Sequence, residues 1–335
     1  LIFNIFYILR PNRDTNYEIN LKTLIFVLLR NSFNRKFTTF VFELTLNITS
    51  LIIMNNLLYI NWDIDPVIFS LGPVKIQYYG LIFVTGLALC YYIIGHIYKK
   101  EKIYTPDAME KLFIYAVIGI FGGARLGHCL FYDFEYFSSH IIEIFIPFRE
   151  NVNGVYEFIG YKGLASHGGA IGLFIAMLLY SRKVHIPFPK IIDIIAILAP
   201  LGGAFIRISN LMNSEIIGRP TDLPWAFIFR YVDDLPRHPS QLYESISYFI
   251  IFLIIYSLYK YKRQLFKVGS YFYFGFSIFA IFLMRFLLEY TKENQKGFED
   301  SLFFNMGQIL SIPFILAGII LIIKNVITVR KKCNK

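Results

Sequence analysis

Long apolar stretches alternate with short polar segments along this 335-residue chain. Seven stretches are long enough to cross a bilayer, because an α-helix needs about 20 residues to span the hydrocarbon core. They cover approximately residues 76–98, 108–131, 163–180, 191–212, 241–259, 268–290 and 306–323. The pattern predicts an all-α integral membrane protein with seven transmembrane helices.

The loops between these stretches alternate in charge. Lysine and arginine concentrate after the first, third, fifth and seventh stretches, whereas the other loops are acidic or balanced. Basic loops of membrane proteins face the cytoplasm. The alternation therefore predicts that the chain before the first helix lies outside. It also predicts a cytoplasmic C-terminus, including the short basic tail over 331–335.

Two of the predicted outer loops are long. Residues 132–162 contain an apolar run over 141–148, which is too short to cross a membrane and is expected to lie at its interface. Residues 213–239 contain four prolines, which disfavour a helix. We expect this loop to form a small irregular head on the extracytoplasmic side.

The first 53 residues differ from the rest of the chain. They are rich in Asn, Phe, Arg and Lys, and the first methionine is Met54. We expect residues 1–53 to be dispensable or an over-extended leader, and residues 54–330 to form the seven-helix domain. The alternative is an extra helix over about 37–53, against which its short length and internal Glu43 count.

Composition supports a membrane protein over a soluble one. Hydrophobic residues make up 56% and charged residues 17% of the chain, whereas soluble domains contain about 45–50% and 25%. Basic cytoplasmic loops explain the net charge of +10, so we expect no nucleic-acid partner. The three cysteines match neither a metal-site spacing nor a disulfide framework.

Several polar residues lie inside the apolar stretches, where they are costly and mark functional sites. In the third stretch, His167 is followed by Gly168 and Gly172, which have the spacing of a close helix contact. This run is read either as a packing face or as a functional histidine. In the second stretch, Arg125 lies among glycines whose pattern favours packing over catalysis.

The fourth stretch ends in a polar stripe. Arg207, Asn210 and, one turn further on, Asn213 or Ser214 have the spacing of one helical face. A guanidinium group binds phosphate through two parallel hydrogen bonds, and amides add neutral donors. The stripe therefore favours a phosphate site, and an arginine that reaches toward interfacial water is the alternative. In the sixth stretch, Arg285 and Glu289 are spaced to form either a structural ion pair or part of a site.

The chain from about residue 65 to residue 324 resembles the bacterial prolipoprotein diacylglyceryl transferases. The matching stretches stand in order along the sequence. They are Asp65-Pro66 with 70–73, Tyr79-Gly80, 130–132, 167–172, Arg207 with Asn210 and 213–219, 237–244, Arg285 with Glu289, and 306–313.

The resemblance implies a membrane transferase. Members of this family move the diacylglyceryl group of phosphatidylglycerol onto the thiol of the lipobox cysteine in a preprolipoprotein signal peptide. A thioether forms and glycerol phosphate leaves, with neither a metal nor an organic cofactor. The resemblance also implies a multi-pass protein whose surroundings are the bilayer of the bacterial cytoplasmic (inner) membrane.

Residue chemistry together with the resemblance gives the expected site residues. The implied catalytic residues are Tyr79, His167, Arg207 and Arg285. The implied substrate-binding residues are Arg125, Asn210, Asn213, Glu215, Gly218, Arg219 and Glu289.

The chemistry of these side chains suggests their roles. Arg207 and Arg285 are expected to bind the phosphate and stabilise its charge as it departs. His167 is the expected base for the thiol, because imidazole exchanges protons readily near neutral pH. The expected supporting roles are orientation of the head group by Asn210 and Tyr79, and positioning of the arginines by Glu215 and Glu289.

The chain departs from the family pattern at four positions. Ser209 and Ser214 stand where the family usually has glycine, which is expected to tighten the backbone near Asn210. Lys292 replaces a frequent second arginine, and Ile281 replaces a tyrosine. These two changes are expected to affect the details of head-group binding.

Two other functional classes explain parts of the sequence. A transporter would account for buried arginines and glycine-broken helices, but the halves of the chain show no repeat of the inverted kind. A non-catalytic membrane scaffold would account for the topology but would leave Arg207, Asn210 and His167 unexplained.

Overall fold

The computed structural model describes residues 59–72, 74–146, 148–150, 156–158, 163–293 and 304–333. The chain divides into two compact units, Leu1–Ile60 and Asn61–Lys335, and the fold below is that of the second. The expected leader over 1–53 and the alternative helix over 37–53 lie outside the described residues.

Helices make up most of the described chain. In order, they are α1 (Tyr78–Lys100), α2 (Pro106–Phe131), α3 (Phe134–Ser139), α4 (Ser166–Val184), α5 (Phe188–Met212), α6 (Ser240–Lys262), α7 (Phe272–Leu288) and α8 (Met306–Cys333). Single 3-10 turns cover Ile141–Ile144 and Glu289–Thr291. The predicted apolar stretches therefore all form helices, with ends that differ by a few residues.

Six of the described helices, all but α3 and α4, are long and apolar enough to cross a membrane. Their outer faces carry exposed apolar side chains such as Leu81, Val84, Ile118, Ile250 and Ile320. Such faces suit a lipid environment, because the backbone polar groups of a helix bond to each other and need no water there. The structure therefore supports a multi-pass membrane protein.

Helix α4 forms where the third transmembrane stretch was predicted, but it is not among the six. Its 19 residues begin with Ser-His-Gly-Gly and include Arg182 and Lys183 in the last turn. Polar residues and glycines thus take up much of its length, and the seventh span stays a prediction.

Short strands accompany the helices, so the expected all-α fold is correct for the helical body but not for the whole protein. The pairs are β2 (Val67–Leu71) with β3 (Val74–Gln77), β4 (Phe148–Glu150) with β5 (Tyr156–Phe158), and β6 (Phe227–Phe229) with β7 (Pro236–Arg237). At the end of β1 (Ile60–Trp62), the Trp62 carbonyl accepts a hydrogen bond from the Arg230 amide at 3.1 Å. The loop over 213–239 has no α-helix, as expected, but it contains β6 and β7.

Helix α5 is the most deeply buried of the long helices. Ile191, Ile194, Ile197 and Leu201 are almost fully buried along its length. The apolar cluster around them includes the buried tyrosines Tyr98, Tyr180, Tyr259 and Tyr273, which come from α1, α4, α6 and α7. Helix α5 is therefore the element against which the others pack, and its polar C-terminal end has a fixed position.

The start of α5 is fixed by a buried carboxylate. Asp193, whose exposed fraction is 0%, accepts hydrogen bonds from the amides of Gly269 at 2.9 Å, Tyr271 at 3.0 Å and Phe274 at 2.9 Å. These amides precede α7 or belong to its first turn, where backbone donors have no partner within the helix. A side chain of α5 thus caps α7.

Glycines bring α2 and α4 into backbone contact. A Cβ atom at Gly127 would lie 2.7 Å from Gly168 Cα, and one at Gly119 would lie 2.6 Å from Ala176 Cβ. A Cβ atom at Gly172 would overlap the Gly119 carbonyl oxygen. The spacing of small residues in the third stretch therefore does form a packing face.

We expect Gly172→Ala to destabilise the protein, because the added methyl meets backbone atoms of α2 that have no rotamer to change. Overpacking of this kind costs about 1–3 kcal/mol. The matched control is Gly122→Ala, since a Cβ atom at Gly122 has no atom within 4 Å. Thermal unfolding in detergent should show a lower midpoint for Gly172→Ala alone, and equal midpoints would contradict the backbone contact.

Candidate functional site

The polar stripe at the end of α5 lies at the centre of a charged site. Arg207 Nε lies 2.9 Å from Glu244 Oε2 of α6, and Arg207 Nη1 lies 3.4 Å from Asn210 Oδ1. The Glu244 side chain is fully buried. Its contact with Arg207 is an ion pair by distance, although Oε2 makes no hydrogen bond of regular geometry. Arg207 is therefore positioned both by its own helix and by α6.

The turn after α5 continues this site. Asn210 Nδ2 donates to Glu215 Oε2 at 3.0 Å, and Asn213 Nδ2 donates to Glu215 Oε1 at 3.1 Å. The Glu215 amide donates a hydrogen bond to the Asn210 carbonyl at 2.9 Å, and Gln241 Nε2 donates one to the Glu215 carbonyl at 2.6 Å. Glu215 thus holds the two asparagines, whereas the sequence suggested that it holds an arginine.

Lys292 lies between two buried carboxylates. Its Nζ is 2.9 Å from Glu244 Oε1 and 3.1 Å from Glu289 Oε2. The carboxylate of Glu289 also lies against Gly307 at the start of α8, where a Cβ atom would be 2.5 Å from it. Glu289 therefore holds Lys292 and not an arginine.

Arg285 points to the same site from α7. The Tyr248 hydroxyl is within electrostatic range of both Arg207 and Arg285. No carboxylate in the described part of the chain lies within ion-pair distance of Arg285, and Glu289 four residues later pairs with Lys292 instead. The structural couple of Arg285 with Glu289, which the spacing allowed, is therefore not formed.

Tyr79 reaches the site from the first turn of α1. Its phenol interacts electrostatically with Glu215 and Arg207, and its ring stacks on Phe83. Ser209 Oγ lies 3.0 Å from the Phe205 carbonyl and 3.3 Å from the Tyr79 carbonyl. The start of α1 is thus joined to the last turns of α5.

Gly218 and Arg219 belong to the outer rim of the site. The Gly218 amide donates to the His238 carbonyl at 3.0 Å, and the His238 amide donates to the Arg219 carbonyl at 3.1 Å. The Arg219 amide donates to the Thr291 carbonyl at 3.0 Å. A Cβ atom on Gly218 would lie 2.5 Å from His238 Cβ, so this close approach requires glycine. The Arg219 side chain is exposed.

A second network of ion pairs stabilises this rim. Arg237, almost fully buried, bonds Asp233 with two of its nitrogens, and Arg237 Nη1 is 2.6 Å from Glu293. Burial alone would raise the pKa of Asp233, but the Arg237 hydrogen bonds outweigh it and hold that pKa below its usual value. Burial, aided by the charge of Arg219, lowers the pKa of His238.

Two expected site residues lie apart from this cluster. Arg125 is buried and donates to the carbonyls of Glu143 at 2.7 Å and Ile144 at 3.1 Å, with Phe137 under its guanidinium. His167 is exposed in the first turn of α4. Within the described residues, no hydrogen bond or ion pair joins His167 to the cluster.

The structure thus brings together seven of the expected residues. They are Tyr79, Arg207, Asn210, Asn213, Glu215, Arg285 and Glu289. Residues that the sequence did not assign to the site are Gln241, Glu244, Tyr248 and Lys292. The signal for Gln241 and Glu244 was their place in the polar block over 237–244 that enters an apolar helix. Nothing in the sequence marked Tyr248.

The arrangement suits a phosphate ester at the edge of a membrane. Two guanidinium groups lie within electrostatic range of one tyrosine hydroxyl, and one of them, that of Arg207, has the Asn210 amide and the Tyr79 phenol near it. Charge-assisted hydrogen bonds from guanidinium to phosphate are about twice as strong as neutral ones. Such donors stabilise a phosphate as it acquires charge on leaving.

Known proteins resemble this chain over most of its length. The profile of the family described as prolipoprotein diacylglyceryl transferase matches residues 66–324. A phosphatidylglycerol–prolipoprotein diacylglyceryl transferase of Bacteroides fragilis is 48% identical over 267 residues, which are 79% of this chain and 95% of that protein. Proteins of the same name from Tolumonas auensis and Chloroherpeton thalassium are 41% identical over 263 residues and 40% identical over 272 residues. They cover 78% and 80% of this chain, and 96% and 95% of their own lengths.

We expect Ser214→Gly to raise stability without loss of activity. Ser214 has φ of +52°, a left-handed conformation that costs non-glycine residues about 1–2 kcal/mol. Its buried hydroxyl has no hydrogen-bond partner in the described structure. Ser214→Ala is the control, because it removes the hydroxyl but keeps the Cβ atom. A higher midpoint of thermal unfolding for Gly than for Ala is expected, and the reverse order would contradict the backbone argument.

Proposed function

This chain belongs to the prolipoprotein diacylglyceryl transferase family, and from that premise we propose how its site works. The protein transfers the diacylglyceryl group of phosphatidylglycerol to a prolipoprotein. The acceptor is the lipobox cysteine of the signal peptide. The cysteine sulfur forms a thioether with the glycerol carbon, the bond from that carbon to the phosphate oxygen breaks, and glycerol phosphate leaves with the electron pair.

The observation that carries this mechanism is the fixed position of Arg207, which lies 2.9 Å from Glu244 Oε2 and 3.4 Å from Asn210 Oδ1, with Arg285 within electrostatic range of the same Tyr248 hydroxyl. Their guanidinium groups bind the phosphate of the donor lipid and stabilise the charge that it acquires as the bond breaks. Arg207 is held by Glu244, whereas Arg285 has no carboxylate partner in the described residues. Arg285 is therefore the arginine that gains most from a bound phosphate.

Tyr79 and Asn210 orient the glycerol head group. Both lie at the ends of their helices beside Arg207, and each supplies a neutral group that can donate or accept a hydrogen bond. Asn213 and Glu215 fix the turn that carries Asn210. Orientation of the carbon relative to the attacking thiolate accelerates the reaction without new covalent chemistry.

His167 accepts the proton of the acceptor thiol. Its support is the exposed position in the first turn of α4, beside Gly168 and Gly169. The donor lipid and the peptide are both mobile, so the base and the phosphate site can lie on different helices. Arg125 and Arg219 support the site from outside the cluster, Arg125 through the loop at Glu143 and Arg219 from its exposed rim.

The transporter reading lacks support, because the relatives named above carry the name of a transferase over most of their lengths. A non-catalytic scaffold would not need two arginines, Arg207 and Arg285, near the same buried tyrosine. The assay that tests the function uses purified protein in detergent with labelled phosphatidylglycerol and a synthetic lipobox peptide. Label on the cysteine sulfur supports transfer, and no labelled peptide at any enzyme concentration would refute it.

The proposed placement is seven spans in the bacterial cytoplasmic membrane, with the site on the outer side. The charges support it: the ends of α1 and α6 are basic, with Lys99, Lys100, Lys260 and Lys262 in their last turns. Tyr79 lies at the end of α1 opposite Lys99 and Lys100. Arg207 contacts Glu244 near the start of α6, which is the end opposite Lys260 and Lys262. Arg285, near the end of α7, lies on the same side as Arg207. The acceptor cysteine of a secreted lipoprotein reaches the same side.

Cysteine labelling of intact cells tests this orientation. In a chain whose native cysteines are replaced by serine, Lys100→Cys should resist an impermeant maleimide until the cells are opened, because basic loops face inward. Asp234→Cys should react in intact cells. Reaction of both sites on the same side would exclude the seven-span arrangement.

We expect Arg207→Lys and Arg285→Lys to lose at least about 10-fold in kcat/KM, because ammonium lacks the planar fork that binds phosphate with two bonds. Arg182→Lys, at the end of α4, is the control and should keep full activity. Initial rates at matched amounts of folded protein give the comparison. Full activity of Arg207→Lys and Arg285→Lys would rule out bidentate binding.

We expect His167→Gln to bind phospholipid normally but to transfer slowly, by roughly 10²–10⁴-fold if proton transfer limits the rate. The defect should shrink as the pH approaches about 8.5, where a free thiol ionises without a base. His96→Gln on α1 is the control for loss of a histidine. The measurement is rate against pH, and parallel profiles for wild type and variant would remove His167 from this role.

A further inference from the structure

A line of alternating charges runs through the protein beside the phosphate site. It consists of Arg207, Glu244, Lys292 and Glu289, and we call it the charge line. The successive distances are 2.9 Å from Arg207 Nε to Glu244 Oε2, 2.9 Å from Glu244 Oε1 to Lys292 Nζ, and 3.1 Å from Lys292 Nζ to Glu289 Oε2. Each inner member contacts a charge of opposite sign on both sides.

The side chains of the charge line are largely buried. The exposed fractions of the Lys292, Glu244 and Glu289 side chains are 6%, 0% and 9%, and that of Arg207 is 15%. A buried charge that loses its partner is strongly destabilising, because its desolvation is no longer compensated. The two oxygens of Glu244 are thus divided between Lys292 and Arg207, and the lysine fixes the carboxylate that fixes the arginine.

The backbone of Lys292 is positioned independently of its ammonium group. Gly218 and Lys292 form an antiparallel bridge, and the neighbouring Thr291 carbonyl accepts the Arg219 amide at 3.0 Å. Replacing the side chain would therefore leave this backbone pairing in place. The ammonium group is needed for the charge line and not for the course of the chain.

Lys292 also keeps Glu289 away from Arg285. Glu289 pairs with Lys292 and not with Arg285, although Arg285 precedes it by one helical turn. Without the ammonium group, Glu289 would turn to Arg285, and Glu244, which already contacts Arg207, would be left with that arginine as its one cation. Arg285 would then be drawn into an ion pair, and Arg207 would be held more strongly by Glu244 and away from an incoming phosphate.

We propose that Lys292 is a positioning residue of the transfer reaction: through Glu244 it holds Arg207 in its binding geometry, and by binding Glu289 it keeps that carboxylate away from Arg285. The proposal rests on the proposed function of the two arginines. It gives this chain's lysine, at a position where arginine often stands in the family, a role in the site and not only in the fold.

The test is a double-mutant cycle between Lys292 and Arg207, with kcat and KM measured for phosphatidylglycerol and a lipobox peptide. Lys292→Met should lower kcat/KM by about 10-fold or more, and Lys292→Arg should restore most of it. In the Arg207→Gln background, Lys292→Met should lower kcat/KM by a clearly smaller factor than in wild type, because the part of its effect that acts through Arg207 is already lost and only the part that acts through Glu289 remains. KM for the peptide should not change.

Two outcomes would overturn the proposal. One is full activity of Lys292→Met, and the other is a loss that multiplies with that of Arg207→Gln, as expected for an independent structural effect. If Lys292→Met alone fails to fold, Glu244→Gln/Glu289→Gln/Lys292→Met removes both carboxylates that the lysine would leave unpaired. This triple variant should be as slow as Glu244→Gln/Glu289→Gln, and a further loss would count against the charge line.

The control is Arg263→Met, which removes the partner of Glu101 at the opposite end of α6, where the two charges are 3.3 Å apart. It should leave kcat/KM within about twofold of wild type, as expected for a partly exposed pair. An inactive wild-type protein would refute the transferase function itself. An active wild type with additive effects would refute only the role of Lys292.

Discussion

The buried carboxylate of Glu244 is the constraint on which the site depends. An isolated carboxylate without water is unfavourable by several kcal/mol, so it must be surrounded by cations in good geometry. Arg207 comes from α5 and Lys292 from the turn after α7. Because the Glu244 carboxylate on α6 must be neutralised, α5, α6 and the turn after α7 are fixed relative to each other.

The remaining polar groups build on that arrangement. Once α5 and α6 are joined, the turn after α5 is closed by Glu215, which receives hydrogen bonds from Asn210 and Asn213. The short strands and the Arg237 network then cover the rim. The contacts of Glu215 are local, whereas the ion pair of Arg237 with Glu293 joins positions 56 residues apart. The result is a polar group of fixed geometry at the ends of apolar helices.

Much of the helical body was predictable from the sequence, because apolar length is a local property. Helix α4 differs, since its glycines serve contact with α2 and lower its apolar content. The site was predictable only in part. Local spacing suggested that Arg285 pairs with Glu289, yet Lys292 competes for that carboxylate. Partners from distant elements, such as Glu244 for Arg207, follow from packing that no periodicity reveals.

The turn after α5 shows another limit of the sequence. Ser214 and Ile216 have φ of +52° and +57°, although neither residue type favours this conformation. The hydrogen bonds around Glu215 impose this backbone conformation, against the intrinsic preference of the two residue types. Local preference would place such a turn at a glycine, as at Gly218, and would miss Ile216. Ser214 was marked only by the glycine that the family usually has there.

Helix α5 is attached at both of its ends, by Asp193 to the amides that begin α7 and by Arg207 to α6. A helix held in this way cannot slide along its axis, because a shift of one turn, about 5.4 Å, would break both attachments. The position of Arg207 along the helix bundle is therefore set by the protein and not by the thickness of the surrounding lipid. A membrane that thins or thickens would tilt the whole bundle before it moved the arginine within it.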